Sequence, residues 1–290
     1  MLPVALPPRS FQLGAHARIR LTYAWRHGRL PDLRTPRLFT ELVQWRKLND
    51  RDLRLPLLAD KVAVKAVVAD RLGRAWVVPT LWDGAVLPAE RPDGGPIVVK
   101  SRHGCNQRVF VRDGTCDWPM IRRQAARWVD QRYGGWLDEW LYREIPPGVL
   151  IEPFIGADGQ LPIDYKFYVF GGVVAFIQVH LEREHRHRWI VLDRHWRCEG
   201  DGTDLPPRPS ALGAMIAAAE NLGQGFDFVR VDFYQPDDVP LFGEMTFYPG
   251  SGLDPFDPPH LDAVMGDLWL QARGRATGVS QDFGGVALAA

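Results

Sequence analysis

The sequence predicts an α+β fold in which antiparallel sheets are interleaved with helices. Three observations carry this expectation. Tyr165–Phe170 and Val173–Val179 are β-branched and aromatic runs separated only by Gly171-Gly172, a two-residue hairpin signal. Phe228–Tyr234 and Leu241–Phe247 form a second such pair around the turn stretch Gln235-Pro-Asp-Asp-Val239. Helical segments lie between the strands, yet the strand pairings read as antiparallel, which favours α+β over a doubly wound parallel sheet.

The elements follow in order. A helix is expected from Leu13 to Trp25 in a Pro- and Arg-rich lead-in. Phe39, Leu42, Val43 and Leu48 recur at helical spacing, with Thr35 or Thr40 as the cap. Asp60 can cap a helix from Lys61 to Leu72 that stops at Gly73. Trp76–Trp82 reads as a strand, Ile97–Lys100 as a shorter one, and Val109–Val111 as its hairpin partner. Pro119–Arg132 is an amphipathic helix and Trp136–Tyr142 a possible further one. Val149–Ile155 is a strand, and Trp189–Leu192 adds another after the 165–179 hairpin. Ser210 is placed to cap an alanine-rich helix to Leu222. From Ala272 the chain is small, Gly-rich and aperiodic, and reads as a loose tail.

Composition narrows the function. Basic and acidic residues balance at 35 each, so no broad field favours nucleic acid or an anionic membrane. Cys105, Cys116 and Cys198 are odd in number and lack metal-ligand spacing, which points away from a disulfide framework and toward a reducing, cytoplasmic setting. Met1–Pro8 is too short and too proline-rich for a signal peptide, and no apolar run is long enough to span a bilayer.

Chemistry concentrates on the C-terminal hairpin. If it folds about Asp238, Asp232 falls opposite Glu244 and Arg230 opposite Thr246, all on one face because side chains alternate with period two. Opposed positions lie ~4.5–5.5 Å apart at Cβ, so two carboxylates repel unless a positive group sits between them. A metal carried by a phosphate chain meets that need; a salt-bridged sheet face with Arg230 meets it equally. Lys100, Lys166 and Glu152 interrupt otherwise apolar strands. Singly, each reads as a solvated strand-edge residue. Together with Asp232 and Glu244 they describe a polyphosphate site, since lysine neutralises phosphate and hard oxygens hold Mg²⁺. The run His180–Arg188 reads either as a solvated hairpin tip or, through Arg186 and Arg188, as a rim for an acidic substrate; His185 and His187 give only weak support for a metal. Cys105 has no oriented base that would make it a nucleophile.

The chain resembles the ATP-grasp superfamily, and within it the TupA-like branch named for teichuronopeptide synthesis. The stretches that carry the likeness are Leu58-Ala-Asp-Lys-Val-Ala-Val64, Ile97-Val-Val-Lys-Ser-Arg-His-Gly104, Leu150-Ile-Glu-Pro-Phe154, Asp164-Tyr-Lys-Phe167, Phe228-Val-Arg-Val-Asp-Phe-Tyr234 and Phe242-Gly-Glu-Met-Thr-Phe-Tyr-Pro-Gly-Ser-Gly252. None is specific alone; their order over about 35–270 is. The resemblance implies two α+β subdomains whose antiparallel sheets grip a nucleotide. It divides the chain into a helical lead-in (1–60), an N-terminal subdomain (61–148), a C-terminal subdomain with the metal-binding hairpin (149–271) and a tail (272–290).

By the same resemblance, Lys100 and Lys166 contact the ATP phosphates with Lys61, His103 and Gly104 nearby. Glu152, Pro153, Phe154 and Ile155 supply the adenine-binding segment. Asp232 and Glu244 hold Mg²⁺, Thr246 stands where a third ligand is often asparagine, and Arg230 reaches a phosphate. Gly250, Ser251 and Gly252 shape the substrate side. The branch usually has a Gly- and Ser-rich loop after His103-Gly104; here Cys105-Asn-Gln-Arg108 stands instead, which shifts phosphate contact toward Arg108 or Arg102. The activity implied is ATP-dependent carboxylate–amine ligation in polysaccharide or cell-envelope polymer synthesis, with a carboxylate-bearing acceptor and an amine donor as partners. A glycan kinase on the same site, or a glycan-binding scaffold with a degenerate site, are the alternatives.

Overall fold

A computed structural model describes residues 9–112, 116–156, 160–181, 188–198, 205–237 and 239–276. Nine strands form two sheets among these residues. In the first, β1 (Trp82–Gly84), β4 (Val149–Pro153), β2 (Ile97–Ser101) and β3 (Arg108–Val111) lie in that order, all antiparallel. In the second, β7 (Arg188–Asp193), β6 (Val173–Leu181), β5 (Asp164–Phe170), β8 (Phe228–Tyr234) and β9 (Leu241–Thr246) do the same.

Period-two alternation gives each sheet a dry face and a working face. Ile97, Val99, Val149 and Ile151 pack with Trp118, Ile121, Ala125 and Trp128 of helix α5 (residues Trp118–Asp130 in our numbering), while Val98, Lys100 and Glu152 turn the other way. Asp117 caps that helix by accepting from the Met120 amide at 2.8 Å. In the second sheet Phe167, Val169, Val229, Val231 and Phe233 are fully buried in the main core. Helix α7 (Leu212–Leu222) packs on β5, β6 and β8.

The working face of the second sheet changes character along its strands. On β8 the series is Phe228, Arg230, Asp232 and Tyr234; on β5 it is Phe170, Tyr168, Lys166 and Asp164. The aromatic end is covered by helices α2 (Phe39–Asn49) and α8 (Leu261–Ala276), with Phe39 edge-on to Phe228 at 4.8 Å and Trp269 against both. Arg46 lies over Trp269 at 4.3 Å and donates to the Phe228 carbonyl at 2.9 Å. The charged end is left open to the first sheet.

The remaining helices are α1 (Arg9–His27), α3 (Arg54–Ala59), α4 (Val64–Leu72) and α6 (Trp140–Arg143). Helix α1 contains the expected 13–25 segment. The hairpin turn of β5 and β6 has Gly171 and Gly172 both at positive φ, 58° and 80°, as a tight two-residue turn requires. No helix among the described residues is long and apolar enough to cross a membrane.

Several expectations are corrected. The segment 76–82 is no continuous strand: Arg74–Trp76 is a 3₁₀ turn, Val77 makes one bridge to Phe242, and only Trp82–Gly84 pairs. Pro79 has no N–H to give a ladder, and the Val78 carbonyl is taken by the Lys65 ammonium at 2.9 Å. Neither Thr35 nor Thr40 caps α2. The Glu41 carboxylate accepts from the Arg37 and Leu38 amides at 3.2 and 3.3 Å, and the Thr40 hydroxyl donates to Asp262 at 2.8 Å. Ser210 is not the cap of α7, whose N-cap is Ala211 with no side-chain cap bond; the Ser210 hydroxyl accepts from Gln235 at 2.6 Å. Only Trp140–Arg143 of the possible 136–142 helix is helical, because Asp138 at φ 56° breaks the run. The tail boundary at 272 fails, since α8 continues to Ala276 and Ala272 is buried. The subdomain boundary at 149 also fails, because β4 belongs to the first sheet.

Trp269 is the test of the α8 closure, being 1% exposed and shared by Phe39, Phe228 and Arg46. Trp269→Ala should cost about 3–5 kcal/mol in urea denaturation. A loss below about 1 kcal/mol would mean that α8 does not close the core.

Candidate functional site

The two working faces enclose a cavity of about 710 Å³. Lys100, Glu152 and Pro153 line it from the first sheet, and Lys166, Arg230, Asp232, Glu244 and Thr246 from the second.

On the second sheet Asp232 pairs with Glu244 and Arg230 with Thr246, in the expected register. The pairing then slips by one residue, so Phe233 meets Phe242 and Gly243 forms a bulge. A side chain at 243 would crowd Tyr234 and the Asp232 carbonyl, at 3.0 and 3.1 Å. Arg230 supplies the positive charge that the two carboxylates need. Its Nε and Nη2 donate to the two Asp232 oxygens, each at 2.7 Å, and Nη2 also reaches Glu244 Oε1 and Thr246 Oγ1 at 3.0 Å. Lys166 donates to Asp232 at 2.6 Å and pairs with Asp164 at 2.7 Å. Burial alone would lower the Arg230 pKa; Asp232 outweighs it and holds the guanidinium well above its ordinary value.

The first sheet repeats the arrangement with the signs exchanged. The Glu152 carboxylate accepts from Lys100 at 2.5 Å and from Lys65. Lys65 also donates to Thr80 Oγ1 at 2.6 Å. Burial pushes the Glu152 carboxyl up, but Lys100 and Lys65 overcome it and hold the group below its usual value.

Most of the other expected residues meet at the same cavity. Lys61, Gly104, Arg108, Phe154, Ile155, Gly250 and Ser251 line it. Lys61 donates to the Gly104 carbonyl at 2.7 Å, fixing the 104–108 loop to the wall. The Phe154 amide is engaged by the Pro96 carbonyl at 2.9 Å, so its backbone offers a nucleotide the carbonyl only. His103 does not line the cavity. It is 2% exposed, its Nδ1 lies 3.4 Å from the Gly148 amide and its Nε2 3.3 Å from the Gln131 carbonyl. Arg102 is likewise engaged elsewhere, forked onto Asp60 at 2.6–2.9 Å. Gly252 lines an adjoining cavity of about 380 Å³ that shares Arg230 and Gly250 with the first. Arg188 opens β7 and lines neither cavity, and Arg186, His185 and His187 lie outside the described residues.

Sequence reasoning missed Lys65, which lies four residues after Lys61 in the stretch that reads as one helix; in the structure α4 begins at Val64 and Lys61 stands in the turn before it. It also missed Glu139, Tyr133, Tyr142 and Tyr248, which line the cavity beside Ser251.

Donor chemistry decides how a magnesium ion would fit. Among the described residues no three His, Cys, Asp or Glu side chains form a metal cage. Asp232 and Glu244 offer hard oxygens, and Mg²⁺ commonly takes one or two carboxylates with phosphate oxygens and water completing its shell. The pair therefore suits an ion that arrives with a phosphate chain. Thr246 fits less well as a third ligand, its hydroxyl being shared between Arg230 and Glu244.

Residues 41–270 match the model of the family described as TupA-like ATPgrasp. The chain belongs to that family. The matched span contains both sheets and every site residue named above. Solved structures with a similar fold include D-alanine–D-alanine ligase from Bacillus anthracis complexed with ATP, at 14% identity and TM-score 0.48, covering 77% of this chain and 69% of that one. The ATP-grasp ligase PsnB, complexed with a phosphomimetic variant of its minimal precursor, Mg and ADP, is similar at 12% identity and TM-score 0.44, covering 81% and 65%. D-cycloserine synthetase DcsG is similar at 18% identity and TM-score 0.38, covering 79% and 72%. This chain spans about two thirds of the length of these solved structures. No curated protein matches it.

Glu152 yields a pH prediction. Its folded pKa lies below the unfolded value, about 4.3 for glutamate, so its contribution to stability is present above that value. It is lost as pH falls from there through the folded pKa. Denaturation midpoints measured between pH 7 and pH 3 should therefore fall less steeply for Glu152→Gln than for wild type. Parallel profiles would remove the Lys65–Glu152–Lys100 cluster as a source of stability.

Proposed function

We propose that the protein is an ATP-dependent carboxylate–amine ligase. The carrying observation is the cavity itself: Lys100 and Lys166 enter from opposite sheets, and the opposed carboxylates Asp232 and Glu244 lie beside Arg230 on its wall. Within the TupA-like ATP-grasp family, this arrangement supports a site for a polyphosphate and a carboxylate acceptor.

ATP lies with its base against Pro153, Phe154 and Ile155, and its phosphates run toward Lys100, Lys166 and Arg230. A carboxylate oxygen of the acceptor attacks the γ-phosphorus while the bond to the ADP oxygen breaks. An amine then displaces phosphate from the acylphosphate and leaves an amide. These steps ask the protein for position and charge neutralisation rather than for a nucleophile of its own. Bound Mg²⁺, held by Asp232 and Glu244, would supply further neutralisation of phosphate charge. Lys166 and Arg230 are already aimed at the same point by their bonds to Asp232, so little reorganisation is required of them. The loop 104–108, tied down by Lys61, forms the wall that keeps water from the acylphosphate. We assign the acceptor to polysaccharide or cell-envelope polymer synthesis, the role that the family's name carries.

Calorimetric titration of ATP, with and without Mg²⁺, tests the reading without knowledge of the acceptor. Wild type should bind ATP in a Mg²⁺-dependent manner, and Glu244→Gln should lose that dependence while keeping the wild-type thermal transition. Absence of binding by folded wild type at millimolar ATP would overturn the ligase. Lys100→Ala removes one charge-assisted contact to phosphate and should weaken ATP binding by about 1.5–3 kcal/mol. An unchanged affinity would reduce Lys100 to a partner of Glu152.

A further inference from the structure

Every carboxylate that the two sheets turn toward the cavity has a cation as its partner. Glu152 has Lys65 and Lys100, Asp164 and Asp232 have Lys166, and Glu244 has Arg230. Glu139 differs. It lines the same cavity, is 5% exposed, and among the described residues has no cation within 4.0 Å. A carboxylate buried without a salt bridge is costly to keep ionised. Burial does hold its pKa above the usual carboxylate range, against the opposing pull of the Lys47 charge and the Ser251 hydroxyl. The Lys47 ammonium itself donates to Ser251 Oγ at 2.6 Å and to the Ser251 carbonyl at 2.8 Å.

The surroundings of Glu139 are those of a cation site. Tyr133, Tyr142 and Tyr248 line the cavity with it, joined in edge-to-face contacts at 5.4 and 6.4 Å between ring centres. Aromatic rings beside a carboxylate favour an ammonium guest. The Tyr248 hydroxyl is buried and, among the described residues, has no hydrogen-bond partner. A hydroxyl oxygen so placed can accept from an N–H that a ligand brings. This end of the lining comes from residues 133–142 and Tyr248, outside the strands that carry Lys100 and Lys166. Ser251, at φ 57° between two glycines also at positive φ, is held in place by Lys47.

We propose that this end is the amine subsite: Glu139 receives the ammonium of the amine substrate and takes the proton that frees its lone pair. The inference rests on the ligase reading and names the chemical class of its second substrate, a primary amine. The balance is simple. The ammonium gives one proton to Glu139, the nitrogen lone pair forms the bond to the acyl carbon, and the carbon–oxygen bond to phosphate breaks. The second nitrogen proton leaves with the departing phosphate. Glu139 returns its proton to water when the amide departs.

The test uses glycinamide, a primary ammonium without a carboxylate, and acetamide, its uncharged counterpart. Wild type and Glu139→Gln are first titrated with ATP and Mg²⁺, then loaded with ADP and Mg²⁺ and titrated with each probe. Both proteins should bind ATP within about twofold of each other; glycinamide should bind wild type, acetamide should not, and Glu139→Gln should weaken glycinamide by about tenfold or more. Tyr248→Phe keeps the ring and removes the hydroxyl alone, and should weaken glycinamide by about threefold with ATP affinity unchanged. It carries the test if Glu139→Gln does not fold. Glycinamide bound equally by wild type and both variants overturns the subsite. So does its failure to bind a wild type that binds ATP, and in either case the nucleotide site stands. Failure of wild type to bind ATP overturns the ligase reading, and the amine subsite with it.

Discussion

Arg230 is a cation with almost no access to water, and two strands depend on it. It is 7% exposed, and three side chains on β8 and β9 converge on its guanidinium. Removing a charge of this size from water is costly, and the cost is offset only when hydrogen bonds and opposite charge are supplied in good geometry. Asp232 supplies both through a two-point fork, the arrangement that suits a planar guanidinium. Arg230 also reaches Glu244, so it stands between the two carboxylates that the β8–β9 pairing sets opposite one another, while Lys166 neutralises Asp232 from β5. The polar face of the second sheet is centred on this interaction, with Lys166 brought beside it by the β5–β8 register.

The first sheet solves the same problem independently. Glu152 is buried and satisfied by two lysines, one from its neighbouring strand and one from α4. Each wall of the cavity is therefore close to neutral before any ligand enters. On the proposed reading, a triphosphate would exchange places with Glu152 for Lys100 and with Asp232 for Lys166. That exchange lowers the affinity that so many cations would otherwise give, because the protein's own pairs are lost as the new ones form. It also preorganises the lysines, which are held extended by their carboxylates rather than left to search rotamers. A site arranged this way favours a highly charged ligand over a singly charged one.

What was legible in the sequence follows from what is periodic. The face shared by Arg230, Asp232, Glu244 and Thr246 was readable because strand alternation leaves no choice once one pair is set. The slip at Gly243 was not, although a lone glycine in a strand is its usual sign. Lys65 and Glu139 were hidden for different reasons. Lys65 lies on a short helix with no polar neighbour in sequence to mark it, and its partners Thr80 and Glu152 come from far along the chain. Glu139 stands in a stretch that reads as helix, and only the left-handed Asp138 before it turns the carboxylate toward the cavity wall. Helix α8 had the signal, with Leu261, Met265, Trp269 and Ala272 at helical spacing. Its Gly266 argues against a helix on propensity alone. That glycine is required by packing instead, since a Cβ there would lie 1.9 Å from the Arg37 carbonyl.

The departure at residues 105–108 has a physical answer in the same terms. A glycine-rich loop can move its backbone close to phosphate, but it must be ordered at each binding event. Here the loop is ordered already. Lys61 holds the Gly104 carbonyl, the Gly104 amide donates to Ser101 Oγ at 3.0 Å, and Gln107 donates to the Gln131 side chain at 2.9 Å. Asn106 takes the left-handed conformation that a glycine would otherwise supply, at φ 59°. The loop is thus a fixed wall rather than a flap. On the proposed reading, phosphate contact on that side would fall to Arg108, which lines the cavity where Arg102 does not.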